Sequence, residues 1–200
     1  MKRTTKWLTA VVAAASGLAM ANSAKADVIL SDFPAGFTLD AYYANWATAT
    51  IDNSTPGFSV TSAGYGSGYK AINIDGSGNT IIQMTFDLEG PAGLPISSAI
   101  ADLTDADGTQ VQYAMQYGVQ AGNGQTYSML LSAGNVAAPG ADSILDLANL
   151  TAFNIEDDPG GYSGPYTITY TDLRLVPEPA SLTLLVLGAA GLLAARRRVR

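Results

Sequence analysis

Between Asp27 and Leu175 the chain is cut every few residues by Gly, Pro, Asn or Asp, and no stretch between the cuts repeats its apolar residues at helical spacing. A core made without amphipathic helices must come from strands, and strands this short must fold back through turns. The clearest strand is Tyr166 to Leu175. Tyr166, Ile168 and Tyr170 fall on one face, and Thr167, Thr169 and Thr171 on the other, which is the period of two of a half-buried strand. Val111, Tyr113 and Met115 alternate in the same way, with Gln110, Gln112 and Gln116 beside them. Further strands are expected at 28–30, 37–39, 46–51, 58–61, 70–74, 80–88, 96–103, 109–119, 125–131 and 152–156, with room for one helical turn at 142–150. The expected fold is all-β, an antiparallel two-sheet sandwich.

This segment holds 149 residues, enough for one domain with a sizeable core. Its only basic residues are Lys70 and Arg174, against 16 carboxylates, a net charge of −14. Such a surface repels phosphate backbones, so nucleic acid is excluded as a partner. The chain has no cysteine, so neither a disulfide framework nor a thiolate zinc site is available. It has no histidine either, which removes the Ser-His-Asp triad and the commonest general base. Paired carboxylates are the chemistry left to an enzyme, and no local motif pairs them.

Both ends of the chain differ in kind from this domain. Lys2, Arg3 and Lys6 precede the Ala-rich apolar run Leu8 to Ala21, and Ala24-Lys25-Ala26 supplies small residues at the cleavage positions. Residues 1–26 therefore read as a secretory signal peptide, cleaved after Ala26 and routed through Sec, since no twin-arginine pair precedes the apolar run. At the other end, Val176-Pro-Glu-Pro-Ala-Ser181 leads into Leu182 to Ala195, apolar except for Thr183, and then into Arg196, Arg197, Arg198, Val199 and Arg200. As a helix this run and its flanks would span roughly 24 Å. That is a short membrane crossing, with the arginines held on the cytoplasmic side. Pro177 and Pro179 keep the Glu178 segment extended and accessible.

These three parts, in this order over 176–200, resemble the PEP-CTERM sorting signal of bacterial exported proteins. The resemblance implies that the membrane enzyme exosortase reads Pro177, Glu178 and Pro179. It implies that Arg196, Arg197, Arg198 and Arg200 form a cytoplasmic anchor. The protein would be held transiently in the inner membrane and then passed to the cell surface or beyond, in a Gram-negative host that makes exopolysaccharide.

Within the domain, Tyr42, Tyr43, Trp46, Tyr65 and Tyr69 gather in one third of the chain. Sugar rings stack their C–H faces on aromatics, while Asn, Gln and Asp bond the hydroxyls. Tyr65 and Tyr69 sit in Gly64-Tyr-Gly-Ser-Gly-Tyr69, read as a Gly-rich loop that exposes them. The loop lacks the Gly-Lys-Ser/Thr ending of a phosphate cradle. Trp46 is either a third sugar platform or a core residue. Asp102, Asp105 and Asp107 before Gly108 do not make a calcium loop, because Leu103 and Ala114 would fill its first and last ligand positions. Asp107-Gly108 marks a hairpin turn instead. Glu156, Asp157 and Asp158 read as a solvated loop.

Two stretches resemble the galactose-binding-like jelly roll of many carbohydrate-binding modules. One is Leu30-Ser31-Asp32-Phe33, ahead of a Gly turn and an aromatic segment; the other is Tyr166 to Leu175, with Asp172 before the last apolar pair. Asp146 to Phe153 resembles the linker to the last strands of such modules. The resemblance implies a jelly-roll sandwich, and a structural calcium held by Asp32 and Asp172 between the first and last strands. With the aromatic residues, it makes Tyr65, Tyr69 and Trp46 the ligand-binding candidates. Three readings stay open: a non-catalytic glycan-binding module of the cell surface or matrix with exopolysaccharide as partner, a secreted polysaccharide-active enzyme using carboxylates, and a purely structural matrix protein.

Overall fold

The alternating stretch from Tyr166 becomes the central strand of a six-stranded antiparallel sheet. A computed structural model describes residues 26–178, of which Asp27–Glu178 form one compact unit. Residues 1–25, read above as most of a signal peptide, and residues 179–200, with Pro179, the apolar run and the arginine tail, lie outside the described residues.

Twelve strands follow in chain order: β1 (Val28–Ser31), β2 (Ala41–Ala44), β3 (Thr50–Asp52), β4 (Phe58–Ser62), β5 (Gly66–Ile74), β6 (Ile81–Glu89), β7 (Ser97–Asp105), β8 (Thr109–Val119), β9 (Gly122–Leu130), β10 (Asn135–Pro139), β11 (Leu150–Asp157) and β12 (Tyr166–Val176). One sheet runs β3-β4-β12-β6-β9, with β1 also paired to β12; the other runs β10-β8-β7-β11-β5-β2. All pairings are antiparallel. The fold is an all-β jelly-roll sandwich: the alternation and the turns implied its two antiparallel sheets, and the resemblance to carbohydrate-binding modules implied the jelly roll.

The core lies between the sheets. Ile82, Met84, Phe86, Ile168 and Tyr170 come from the first, and Ala101, Leu103, Phe153 and Ile155 from the second; all are buried. Phe33, Phe58, Phe86, Trp46 and Tyr170 form an aromatic cluster with ring centroids 5.9–6.4 Å apart. Aromatic pairs at such spacing add to their area burial. The hairpin at Asp107-Gly108 joins β7 to β8, with Gly108 at φ +89°, a left-handed value that glycine adopts without strain.

The structure corrects several elements. Residues 37–39 form no strand, and residues 46–51 divide into a 3-10 turn (Asn45–Thr48) and β3. β2 and β10 were not expected. β10 is an edge strand ending in Pro139, mostly exposed and without apolar alternation, so it carries no period-two signal. The run read as a Gly-rich loop is the start of β5. A Cβ at Gly66 would stand 2.0 Å from Trp46 Cδ1, and one at Gly68 would stand 2.1 Å from Leu39 Cδ1. These glycines keep the inner face of a strand bare so that a tryptophan and a leucine can seat on it. They are packing residues and do not loosen the chain.

Candidate functional site

β7 and β11 lie side by side in the middle of the second sheet. Pleating sends alternate residues to opposite faces. Ala99, Ala101 and Leu103 of β7 and Phe153 and Ile155 of β11 enter the core. Asp102 and Thr104 of β7 and Asn154 and Glu156 of β11 therefore point outward.

Antiparallel register then sets the neighbours. Asp102 lies opposite Asn154 on one side and Gln112 on the other, and Asn154 lies opposite Tyr69. The next row places Ile100 beside Glu156, Glu156 beside Ser67, and Ser67 beside Tyr43. The floor of this face is covered by its neighbours: Asp102 is 2 % exposed, Ile100 3 % and Ser67 3 %. The flanking tyrosines stand out, with Tyr43 at 52 % and Tyr65 at 43 %. The face is thus a furrow, with an aromatic rim on β2 and β5 and an amide rim on β8.

The floor is a connected polar cluster. Gln110 Nε2 donates to Asp102 Oδ2 at 2.7 Å, and Gln112 Nε2 donates to Glu156 Oε2 at 3.1 Å. Asn154 Nδ2 reaches both acids, at 3.0 Å from Glu156 Oε1 and 3.4 Å from Asp102 Oδ2. Asp102 Oδ1 and Asn154 Oδ1 are buried without a partner. Burial, then the Asp102 charge, pushes the Glu156 carboxyl up to about 7, and burial also raises Asp102. Two carboxyl groups this close share a proton more readily than they ionise together.

The rim above the cluster is fixed by backbone. The Tyr65 carbonyl accepts from Asn45 N at 3.1 Å and from Asn45 Nδ2 at 3.0 Å. Partial burial raises the Tyr65 phenol, and the charges of Glu156, Asp102 and Asp158 raise it further, against a lowering hydrogen bond with Ser67. Tyr69 is half-buried in the Asn154 row.

The expected site residues divide. Tyr65 and Tyr69 come together on this face. Trp46 does not: it is 1 % exposed, packed edge-on against Tyr170 at 6.0 Å under Gly66, so it belongs to the core. Asp32 and Asp172 do not fit the expected calcium. Both Asp172 oxygens accept from the Arg174 guanidinium, at 2.6 and 2.7 Å, which brings a positive charge where a cation would bind. Among the described residues no three acidic side chains gather in a geometry that could hold a metal.

Glu156, Asp157 and Asp158 are not a solvated loop. Glu156 sits in the furrow. Asp157 faces inward and is fully buried, accepting from Ser97 Oγ and from Ser98 N at 3.2 Å. Burial pushes its carboxyl up to about 6. Asp102, Gln110, Gln112, Asn154 and Glu156 escaped the sequence reading as a set. The alternation of Gln110 and Gln112 with Val111 and Tyr113 was the one local signal. The cluster itself is made by pairing strands that are far apart in the chain.

Pro177 and Glu178 leave the end of β12, with Glu178 exposed. A family model described as the PEP-CTERM protein-sorting motif matches residues 175–198. The chain ends in a PEP-CTERM motif. The sandwich ahead of the PEP-CTERM motif is similar to the family 11 carbohydrate-binding module of the cellulosomal cellulase Lic26A-Cel5E of Clostridium thermocellum. Identity is 18 % over 78 % of this chain and 96 % of that one, with a TM-score of 0.50. It is similar also to a family 11 module from Clostridium thermocellum in complex with a β-1,3-1,4-mixed-linked tetrasaccharide, at 19 % identity over 78 % of this chain and 98 % of that chain, TM-score 0.50. An exo-β-agarase matches at 16 % identity and TM-score 0.52, over 76 % of this chain but 25 % of the agarase. At these identities the likeness is one of fold. No curated protein matches the chain.

Proposed function

We propose that this protein is an exported, non-catalytic glycan-binding module, processed by exosortase at its C-terminal motif and displayed on the cell surface or in the extracellular matrix. The observation that carries the reading is the furrow of the second sheet. Exposed tyrosine rings rim a floor of buried carboxyl and amide groups, two of whose oxygens lack partners. Sugar C–H faces suit the rings, and sugar hydroxyls suit the half-exposed amides of Gln110, Gln112 and Asn154 beside them. The similarity in fold to carbohydrate-binding modules, one of them in complex with a tetrasaccharide, supports glycan binding as the class of function.

The carboxylate-enzyme reading fits this site poorly. Asp102 and Glu156 are buried and joined through the Asn154 amide, which donates to both, whereas glycoside hydrolysis needs carboxyl groups about 5–10 Å apart with a sugar between them. The pair here is a floor for hydroxyls.

A glycan array with the domain Asp27–Glu178, which carries its own core, tests the reading. Binding of neutral β-glucans or agarose oligosaccharides is expected, without release of reducing ends. Tyr65→Ala should weaken it about tenfold or more, as loss of a central aromatic contact does, with little change in Tm. Absence of binding to any glycan would sink the proposal. For the sorting part, the intact mass of the exported protein should lack the residues after the Pro-Glu-Pro segment; a mature chain ending at Arg200 in a strain with active exosortase would refute it.

A further inference from the structure

The furrow does not stop at Glu156. Where β7, β8 and β11 end, a cleft of about 470 Å³ opens between Leu94 and Pro95, Tyr117 and Gly118, and the turn from Asp158 to Tyr162. That volume lies within the range of small-ligand sites, roughly 300–1,000 Å³. We propose that this cleft is a terminal subsite that takes the end ring of a neutral polysaccharide chain whose body lies along the furrow. The inference rests on the glycan-binding reading of the furrow.

Three observations carry it. The first is continuity. Asp158 N donates to Ser98 Oγ, and Ser98 lies opposite Tyr117. Asp158 also follows Glu156 at the strand spacing of two, on the outward side, and its charge acts on Tyr65. The second is the wall. Tyr117 is 58 % exposed and Leu94 48 %, so a large aromatic ring and an aliphatic side chain that line one hollow are left in water. A Cβ placed at Gly160 or Gly161 would meet nothing within 4 Å, so the turn leaves its backbone open to a ligand. The third is charge. Asp158 lines the cleft in a domain of net charge −14, and the field of such a surface repels anions. A ring with apolar C–H faces for Tyr117 and hydroxyls for the Asp158 carboxylate satisfies all three.

The length of the furrow makes the proposal testable. Asn154 and Asp158 are four strand residues apart, about 13 Å at the usual rise. A short oligosaccharide held at the Tyr69 row falls short of the cleft, and a longer one enters it. Calorimetry on Asp27–Glu178 would compare two-ring and six-ring oligosaccharides of β-1,3-1,4-glucan, and of agarose if the glucan series does not bind. The wild-type domain is expected to bind the six-ring ligand more tightly. Tyr117→Ala should remove that gain, a loss of about tenfold, and leave the two-ring Kd unchanged. Tyr117→Phe should behave as wild type, because the ring and not the hydroxyl makes the contact. Equal affinities of Tyr117→Ala and wild type for both lengths would overturn the terminal subsite while leaving the furrow reading intact. So would an equal loss for both lengths, which would place Tyr117 in the main site. Failure of every oligosaccharide to bind wild-type protein would overturn the furrow reading and this inference with it.

Discussion

The outward face of the β4-β12-β6 sheet and the outward face of the β7-β11-β5 sheet both alternate with core residues, yet they treat their polar groups in opposite ways. On the first, hydroxyls pair across strands: Ser59 with Thr169 at 2.7 Å, Thr61 with Thr167 at 2.9 Å, and Thr85 with Thr126 at 3.0 Å. On the second, a carboxylate oxygen of Asp102 and the amide oxygen of Asn154 remain buried and unpartnered, and two acids are pressed together. A cross-strand threonine pair stabilises a sheet by a few tenths of a kcal/mol up to about 1 kcal/mol and leaves little for a ligand to bond. Buried acids beside unmet acceptors cost stability, and folds keep such arrangements where something binds. The sandwich thus has one face finished by its own side chains and one face that leaves buried polar groups unmet.

The largest expected effect tests what holds the aromatic rim. Gly66→Ala puts a Cβ 2.0 Å from Trp46 Cδ1. Overpacking of this kind costs about 1–3 kcal/mol, and each kcal/mol lowers Tm by about 2–4 °C in a domain of this size. Glycan affinity should fall as well, since Tyr65 and Tyr69 flank the displaced backbone. A thermal melt as stable as wild type would show that Trp46 does not fix the rim.

Next in size is the pH dependence of the acid floor. Glu156 is pushed from its ordinary 4.5 up to about 7, and Asp157 from 3.8 up to about 6, burial being the leading cause in both. Across that window the folded chain holds protons that the unfolded chain has released, so stability should fall as pH rises from about 4 to about 7. Melting curves between pH 5 and pH 8 should show Tm falling. Glu156→Gln should flatten the decline by about 1 kcal/mol, or about 2–4 °C at pH 8. A Tm that rises over this range would contradict the protonated floor.

The smallest effect belongs to the finished face. Thr61→Val together with Thr167→Val removes one hydroxyl pair where solvent still reaches, so stability should stay within about 0.5 kcal/mol of wild type, with glycan affinity unchanged. A marked loss of affinity in this double variant would move the binding site to the other sheet and dissolve the contrast between the faces.

Much of the architecture was legible because period-two patterning reports burial directly. The Tyr166–Leu175 alternation gave the central strand, and Asp107-Gly108 gave the hairpin. The site was less legible. Tyr65 and Tyr69 were expected on a Gly-rich loop, but the glycines between them are bare strand positions under Trp46 and Leu39. Trp46 itself could have been platform or core, and only the packing of β5 decides it. Asp32 and Asp172 looked like calcium ligands until Arg174, two residues on, took both Asp172 oxygens.

By itself, then, the sequence determined the all-β class, the acidic and thiol-free surface, the absence of histidine chemistry and the sorting motif at the C-terminus. Each of these depends on composition or on neighbours within a few residues. Only the tertiary structure decided that Asp102, Gln112, Asn154, Glu156 and Tyr69 share one furrow. They lie on four strands whose order in the sheet differs from their order in the chain. Register brings such residues together, and register is set by the burial of the opposite face.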